Sequence, residues 1–365
     1  MFVPLNAEPG FNRAPSEKPA GDTISVSVII PMRNEEKYIG KCLQSILANN
    51  FSKHDYEVLV VDGASTDRSR QIVEEMKPWF HRLELIHNPK GIVPTGMNAA
   101  IRIARGKYIV RMDAHTEYPS DYISACVSEL EKGTADVVGG RLITCPGAET
   151  VTAKGIALMT QHPFGVGNSA FRINSSAREV DTVPFGAFRR EVFEKVGLFR
   201  ESLVRHQDFE MNARIRAAGG KILLNPSIQP TYYNVPTFRK FMRQAYLNGA
   251  WLGRAWTRYP VCFCWRHAAP LTFVCSLIVP LIASEVWSKA SLLSVAILAI
   301  YLAGALGSSA QISSKHGSRY LAVMPALFLS YHVVYGLSTI WGFVTFFTVP
   351  REKYIGVAGV NSAAS

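Results

Sequence analysis

Apolar and polar positions alternate along the first two thirds of the chain in blocks that predict strand followed by helix. The run "ISVSVIIP" (24–31) is β-branched and continuously apolar, as expected of a strand buried on both faces. After the turn "MRNEE", the segment "KYIGKCLQSIL" places Tyr38, Ile39, Cys42, Leu43, Ile46 and Leu47 at helical spacing. The alternation recurs. "YEVLVVD" (56–62) leads through "GASTD" to a helix at "RSRQIVEEM". A further helix, "TGMNAAIRIA", precedes the strand "KYIVRMD" (107–113), and "ADVVGGRL" (135–142) predicts another strand. Residues 146–180 are polar and glycine-rich with weak periodicity. Then "PFGAFRREVFEKVG" predicts a short helix closed by Gly197, "HQDFEMNARIRAAGG" a helix from near Asp208 to Gly219-Gly220, and "KILLNP" a last strand.

This order predicts an α/β domain, Rossmann-like with a mostly parallel sheet. Ligands of such sheets bind beyond the carboxyl ends of the strands. Three polar turns fall at such ends: Arg33 to Glu35, Asp62 to Asp67, and Asp113 to His115.

Beyond residue 236 the pattern changes. Between 237 and 259, Phe238, Phe241, Met242, Ala245, Trp251, Leu252, Ala255 and Trp256 follow helical spacing with basic residues between them, which predicts an amphipathic helix in a membrane interface, or else a core-facing helix. Three apolar stretches follow at 270–287, 292–308 and 323–347. Each is near the ~20 residues that cross a bilayer core, although Glu285 and His332 leave a buried soluble helix as the alternative.

Composition adds little until it is mapped. The 48% of hydrophobic residues is ordinary in total, and the net charge of +11 is concentrated before the apolar tail at Arg239, Lys240, Arg243, Arg254, Arg258 and Arg266. That position suits anionic lipid head groups on a cytoplasmic leaflet rather than nucleic acid. Residues 1–23, with four prolines and no signal-peptide pattern, read as a flexible lead. Six scattered cysteines lack zinc-finger or CxxC spacing and read as reduced structural thiols.

The candidate chemistry lies in the three turns. Asp62 alone would be a turn residue. Asp113 and His115, one residue apart, would face the same side of an extended segment and together suit Mn²⁺ or Mg²⁺. Asp208 is either a helix N-cap or a general base; spacing does not choose.

Five motifs in order, "VSVIIPMRNEE", "VLVVDGASTD", "NPKGIVPTGMNAAI", "GKYIVRMDAH" and "RHQDFEMNARIRAAGG", resemble the family 2 inverting glycosyltransferases of the GT-A fold, and within them the ExoA-like branch that builds succinoglycan-type exopolysaccharide. The resemblance implies a nucleotide pocket lined by Pro31, Arg33 and Glu35, uracil binding by Asp62, and Lys90 close to the nucleotide. It also implies a metal held by Asp113 and His115, in place of the family's DxD pair, and Asp208 as catalytic base, with Gln207 where Glu is commoner. The implied reaction moves a sugar, glucose from UDP-glucose, onto an undecaprenyl-diphosphate-linked saccharide with a β-linkage. The implied partners are the UDP-sugar, the lipid-linked acceptor, membrane lipids and other exopolysaccharide assembly enzymes.

The expected layout is a lead (1–23), a GT-A domain (24–236), an interfacial helix (237–262), about three transmembrane helices (268–348) and a tail (349–365). The catalytic domain would face the cytoplasm at a bacterial inner membrane, with Lys315 and Arg319 in an inner loop and the tail outside. Three rivals stay open. A processive synthase would normally carry QxxRW, which "RQAYLNGAW" does not match; a polyprenyl-phosphate sugar synthase would not need Asp208; and a membrane-tethered nucleotide sensor would need no catalytic residues at all.

Overall fold

The computed structural model describes residues 24–173 and 176–348; the expected lead (1–23) and tail (349–365) lie outside the described residues. Eleven strands are described: β1 (Val26–Met32), β2 (Tyr56–Asp62), β3 (Leu83–His87), β4 (Tyr108–Arg111), β5 (Thr116–Glu117), β6 (Val137–Gly140), β7 (Ile143–Cys145), β8 (Arg178–Glu179), β9 (Ala187–Arg189), β10 (Ile222–Asn225) and β11 (Thr231–Tyr233). The chain divides into two compact units, one of residues 24–141 and 176–230, the other of 142–173 and 231–348.

The first unit is built on an eight-stranded sheet of order β3-β2-β1-β4-β9-β6-β10-β8. Strands β1 to β4 pair in parallel, as do β6 and β10, while β9 runs antiparallel between β4 and β6, and β8 antiparallel against β10. Every residue of β1 and β2 is buried, which explains why both read as unbroken apolar runs. The chain moves outward from β1 through β2 to β3 and returns on the other side at β4. A topological switch point, where such sheets open a crevice, therefore lies between the carboxyl ends of β1 and β4.

One expected helix is shorter than its motif. In "PFGAFRREVFEKVG" only Glu191–Val196 is helical, and Ala187–Arg189 forms β9 instead. There Ala187 and Phe188 bury their side chains and pair with both β4 and β6, so tertiary pairing outweighs the local helical pattern. Strand β3, only partly buried and with two exposed residues, gave no clear periodic signal.

In the second unit β7 pairs in parallel with β11, and helix Val151–Met159 packs on the last apolar helix, where a side chain at Gly155 would meet Leu327 at 2.9 Å. Three helices, Trp265–Ala283, Ala290–His316 and Arg319–Phe347, are long and apolar enough to cross a membrane. Helix Phe238–Arg258, capped by the Thr237 hydroxyl, does not leave its whole apolar face open. Gly249 and Gly253 bring its backbone against the last helix: a Cβ at Gly249 would fall 2.3 Å from the Tyr335 carbonyl oxygen, and one at Gly253 2.4 Å from that of Thr339. Small residues four apart allow this close approach between helices. Phe241 stacks on Tyr331, and Arg254 donates to Thr345 Oγ1 at 2.8 Å, so the two helices run side by side in the same direction.

Candidate active site

The polar turns at the ends of β1 and β2 are tied to each other. Asn34, held at φ 55°, accepts from the Thr66 N–H at 2.8 Å and donates its own N–H to Ser65 Oγ at 2.9 Å. The Glu35 N–H donates to Ser69 Oγ, and the Asp67 carboxylate accepts from Ser69 N–H, Ser69 Oγ and Glu36 N–H. Burial raises the Asp67 carboxyl, but these hydrogen bonds more than offset it and leave it below the ordinary carboxylate value.

Asp62 is 1% exposed and accepts the Ser65 N–H, with Arg70 Nε 3.7 Å away. Arg33 reaches the Gly91 carbonyl at 3.3 Å, while its buried Nε has no hydrogen-bond partner among the described residues. Gly91 has φ +64°, and a Cβ there would fall 2.9 Å from Arg33 Nη1. Only glycine therefore fits this close approach without displacing the guanidinium. Pro31 is buried within β1 itself.

The segment holding Asp113 and His115 corrects an expectation. It is a turn between β4 and β5, with Thr116 N–H donating to Asp113 O, so the two side chains do not share the face of a strand. The turn still brings them together: His115 Nδ1 lies 3.7 Å from Asp113 Oδ1 and 3.1 Å from Glu35 Oε1. The Tyr118 hydroxyl accepts the Asp113 N–H, and Cys42 Sγ donates to its carbonyl, fixing the turn from below. Cys42 and Cys126 are buried thiols raised by burial, Cys126 to about 12, and no disulfide joins any two of the six cysteines.

Asp208 is not an N-cap. Helix Gln207–Ala217 begins after His206, at φ 60°, with no side-chain cap bond, and Asp208 sits in its first turn. Its carboxylate accepts from Arg111 Nη1 at the end of β4. Arg111 is the residue that spacing alone had not singled out, although Arg111, Asp113 and His115 recur at every second position and so offered a signal. Its side chain is 6% exposed against 30% for Asp208. Burial disfavours the Arg111 charge, but Asp208 and Asp113 outweigh this and hold the guanidinium above its ordinary value. Lys90 is held in an ion pair with Glu201 at 3.0 Å, and Glu201 also accepts from Asn98.

All these residues belong to one unit and gather beyond the carboxyl ends of β1, β2 and β4. A cavity of about 400 Å³ lies at the other end of β1 and β4, lined by Ile24, Ser25, Lys107 and Tyr108, and is separate from this cluster. Among the described residues no group of three or more His, Cys, Asp and Glu side chains is arranged to hold a metal by itself. Asp113 and His115 do supply one carboxylate oxygen and one imidazole nitrogen at neighbouring positions. That pair fits a Mn²⁺ or Mg²⁺ ion taking its other ligands from a substrate diphosphate and water.

Residues 27–197 match the family model described as Glycosyl transferase family 2. A dolichyl N-acetyl-alpha-D-glucosaminyl phosphate 3-beta-D-2,3-diacetamido-2,3-dideoxy-beta-D-glucuronosyltransferase of Methanococcus voltae is 29% identical over 62% of this chain and 72% of its own length. The succinoglycan biosynthesis protein ExoA of Rhizobium meliloti (strain 1021) is 28% identical over 56% of this chain and 62% of its own. Among solved structures, the mannosyltransferase PcManGT from Pyrobaculum calidifontis, in complex with GDP-Man and Mn²⁺, is similar with a TM-score of 0.55 at 20% identity over 91% of this chain and 92% of that one. The Staphylococcus aureus TarS fragment in complex with UDP-GlcNAc has a TM-score of 0.51 at 18% identity over 89% and 92%. These structures share the fold. The sheet, its switch-point cluster and the match over 27–197 identify that stretch of the chain as a family 2 glycosyltransferase domain with the GT-A fold.

Proposed function

We propose that the enzyme transfers a sugar, glucose from UDP-glucose, to a saccharide carried on a lipid diphosphate at the cytoplasmic face of a bacterial inner membrane, with inversion to a β-linkage. The observation that carries this reading is the gathering of Arg33, Glu35, Asp62, Asp113, His115 and Asp208 beyond the carboxyl ends of central strands, with Arg111 linking the last to the turn that holds Asp113. Buried Asp62, with carboxylate lone pairs beyond its one N–H partner, suits the N–H of a pyrimidine base. Arg33, in the turn after β1, places a guanidinium beside Gly91 where a nucleotide phosphate oxygen would suit it.

Asp113 and His115 would hold the divalent cation, whose charge would stabilise the departing diphosphate. Asp208 takes the proton of the acceptor hydroxyl as its oxygen bonds to the anomeric carbon. On the opposite face the bond to the diphosphate oxygen breaks and its electron pair leaves with the nucleoside diphosphate. One displacement inverts the configuration. Arg111 fixes the carboxylate that accepts the proton.

A lipid-linked acceptor is supported by the three apolar helices and by the Methanococcus voltae relative, whose name contains a dolichyl phosphate saccharide. Exposed Leu292, Leu293, Val295 and Ile300 suit contact with lipid chains. Lys315 and His316, in the last turn of the second apolar helix, and Arg319, the first residue of the third, flank a short connection that suits the cytoplasmic side. On helix Phe238–Arg258, Arg239, Lys240 and Arg243 would meet anionic head groups while the glycine face holds the bundle.

Full-length protein, UDP-[¹⁴C]glucose, Mn²⁺ or Mg²⁺ and a lipid-diphosphate saccharide test this reading. One sugar added per acceptor is expected. A long polymer would favour a processive synthase, transfer to bare lipid phosphate a polyprenyl-phosphate sugar synthase, and UDP binding without any transfer a sensor.

A further inference from the structure

The second unit contains an arginine whose charge meets no carboxylate among the described residues. Arg172, on the short helix Ala170–Ile173, lies in the stretch whose periodicity was weak. Its Nη1 reaches Thr144 Oγ1 at 3.4 Å, and its guanidinium sits 5.4 Å from the ring centroid of Phe171 and 5.9 Å from that of Tyr232. Among the described residues no carboxylate forms an ion pair with it. Burial lowers its affinity for the proton, and the groups opposing this are the phenols of Tyr232 and Tyr331 rather than an acid. A partly exposed guanidinium that faces rings and a hydroxyl but no carboxylate keeps N–H donors available to an anion.

The segment carrying Arg172 is fastened to the apolar helices. Phe164 packs against Gly304 and Phe328, and His162 Nε2 lies 3.0 Å from Gln311 Oε1. His332 Nε2 approaches the Gly165 carbonyl at 3.3 Å, while Nδ1 lies 2.8 Å from the Tyr301 hydroxyl. A carbonyl only accepts, so Nε2 carries the hydrogen and Nδ1 accepts from Tyr301. Thr144, Phe171, Arg172 and Tyr232 thus present a cation framed by aromatic rings within the unit that carries the three candidate membrane helices.

We propose that Arg172 and Thr144 form a binding site for the diphosphate of a lipid carrier, the guanidinium fork taking the phosphate oxygens while the chain runs along the apolar helices. This rests on the lipid-linked acceptor proposed above and names the group that recognises the carrier. Guanidinium geometry suits phosphate oxygens pairwise, and the apolar helices beside it favour a lipid over a free nucleotide.

The test titrates the full chain, in phosphatidylcholine nanodiscs, with undecaprenyl diphosphate by native mass spectrometry, with UDP binding measured in parallel. Arg172→Gln is expected to weaken carrier binding at least tenfold and leave UDP affinity within about twofold. Arg172→Lys, which keeps the charge without the fork, falls between. Inorganic diphosphate should compete for the site, and phosphatidylglycerol should not displace the carrier at equal concentration. Equal carrier affinity in Arg172→Gln and the native protein overturns the proposal. So does displacement by phosphatidylglycerol, which would make the site a general head-group contact, and so does loss of UDP binding in the variant, which would make Arg172 structural. Carrier binding that depends on Arg172, in a protein that transfers no sugar from any donor, would separate failure of the transferase reading from failure of this one.

Discussion

Replacing Asp208 by alanine and by asparagine should have separable consequences, because Asp208 is at once the proposed base and the partner of a buried cation. Alanine strands Arg111, 6% exposed, with only Asp113 nearby to offset its charge. Breaking a buried pair by removing one partner costs about 3–5 kcal/mol. The 30% exposure of Asp208 and the second anion place this case near ~3 kcal/mol. For a domain of this size that lowers the unfolding midpoint by about 6–12 °C. Asparagine keeps an acceptor for Arg111 Nη1 and should lose roughly half as much or less. Catalysis separates the two roles differently: neither variant can take a proton, so both should lose about 10²–10⁴ of the transfer rate. The measurements are the unfolding midpoint of the purified full chain and initial rates with a radiolabelled donor. If alanine and asparagine unfold together, the buried charge is not the origin of the stability; if asparagine retains a tenth of the rate, Asp208 is not the base.

Other substitutions probe the rest of the molecule. His115→Ala should raise the Mn²⁺ concentration for half-maximal rate at least about tenfold, with Asp113→Ala stronger; unchanged metal dependence in both removes the turn from the metal site. Gly253→Leu places a side chain where a Cβ already meets the Thr339 carbonyl at 2.4 Å, and should destabilise by ~1–3 kcal/mol or more, read as detergent-dependent aggregation and a lower unfolding midpoint; an unaltered midpoint contradicts the close packing. Asp67 is held below its ordinary value in the folded state, so its contribution is present above about pH 4 and is lost as pH falls through the folded value. Asp67→Asn should therefore destabilise at neutral pH and converge on the native chain as acid protonates the folded carboxyl, and a difference independent of pH would exclude the carboxylate as the cause.

Much of the first unit was legible because β1 and β2 are buried throughout and leave unbroken apolar runs, while their polar turns stand out against them. Asp62, Asp113 and His115 were visible for the same reason. Strand β9 was hidden: "GAFRR" carries helix-compatible residues, and only pairing with β4 and β6, far apart in sequence, makes it a strand. The tie between Arg111 and Asp208 spans ninety-seven positions and is fixed by where helix Gln207–Ala217 begins, which no local pattern specifies. The residues from 142 to 173 gave the weakest signal, since helices as short as Pro163–Val166 and Ala170–Ile173 carry little periodicity of their own, and Phe164 of the first is held by residues of the apolar helices.

The seam between helix Phe238–Arg258 and the last apolar helix has a consequence for synthesis. The ribosome releases the glycine-lined helix well before its partner, so Gly249 and Gly253 wait uncovered while two other apolar helices are made. A chain stopped after Ala290–His316 would carry every residue of the candidate active site yet leave that groove unfilled. Quality control acting on newly made chains would then meet an intact first unit attached to an unfinished second one, and the two would be expected to turn over together.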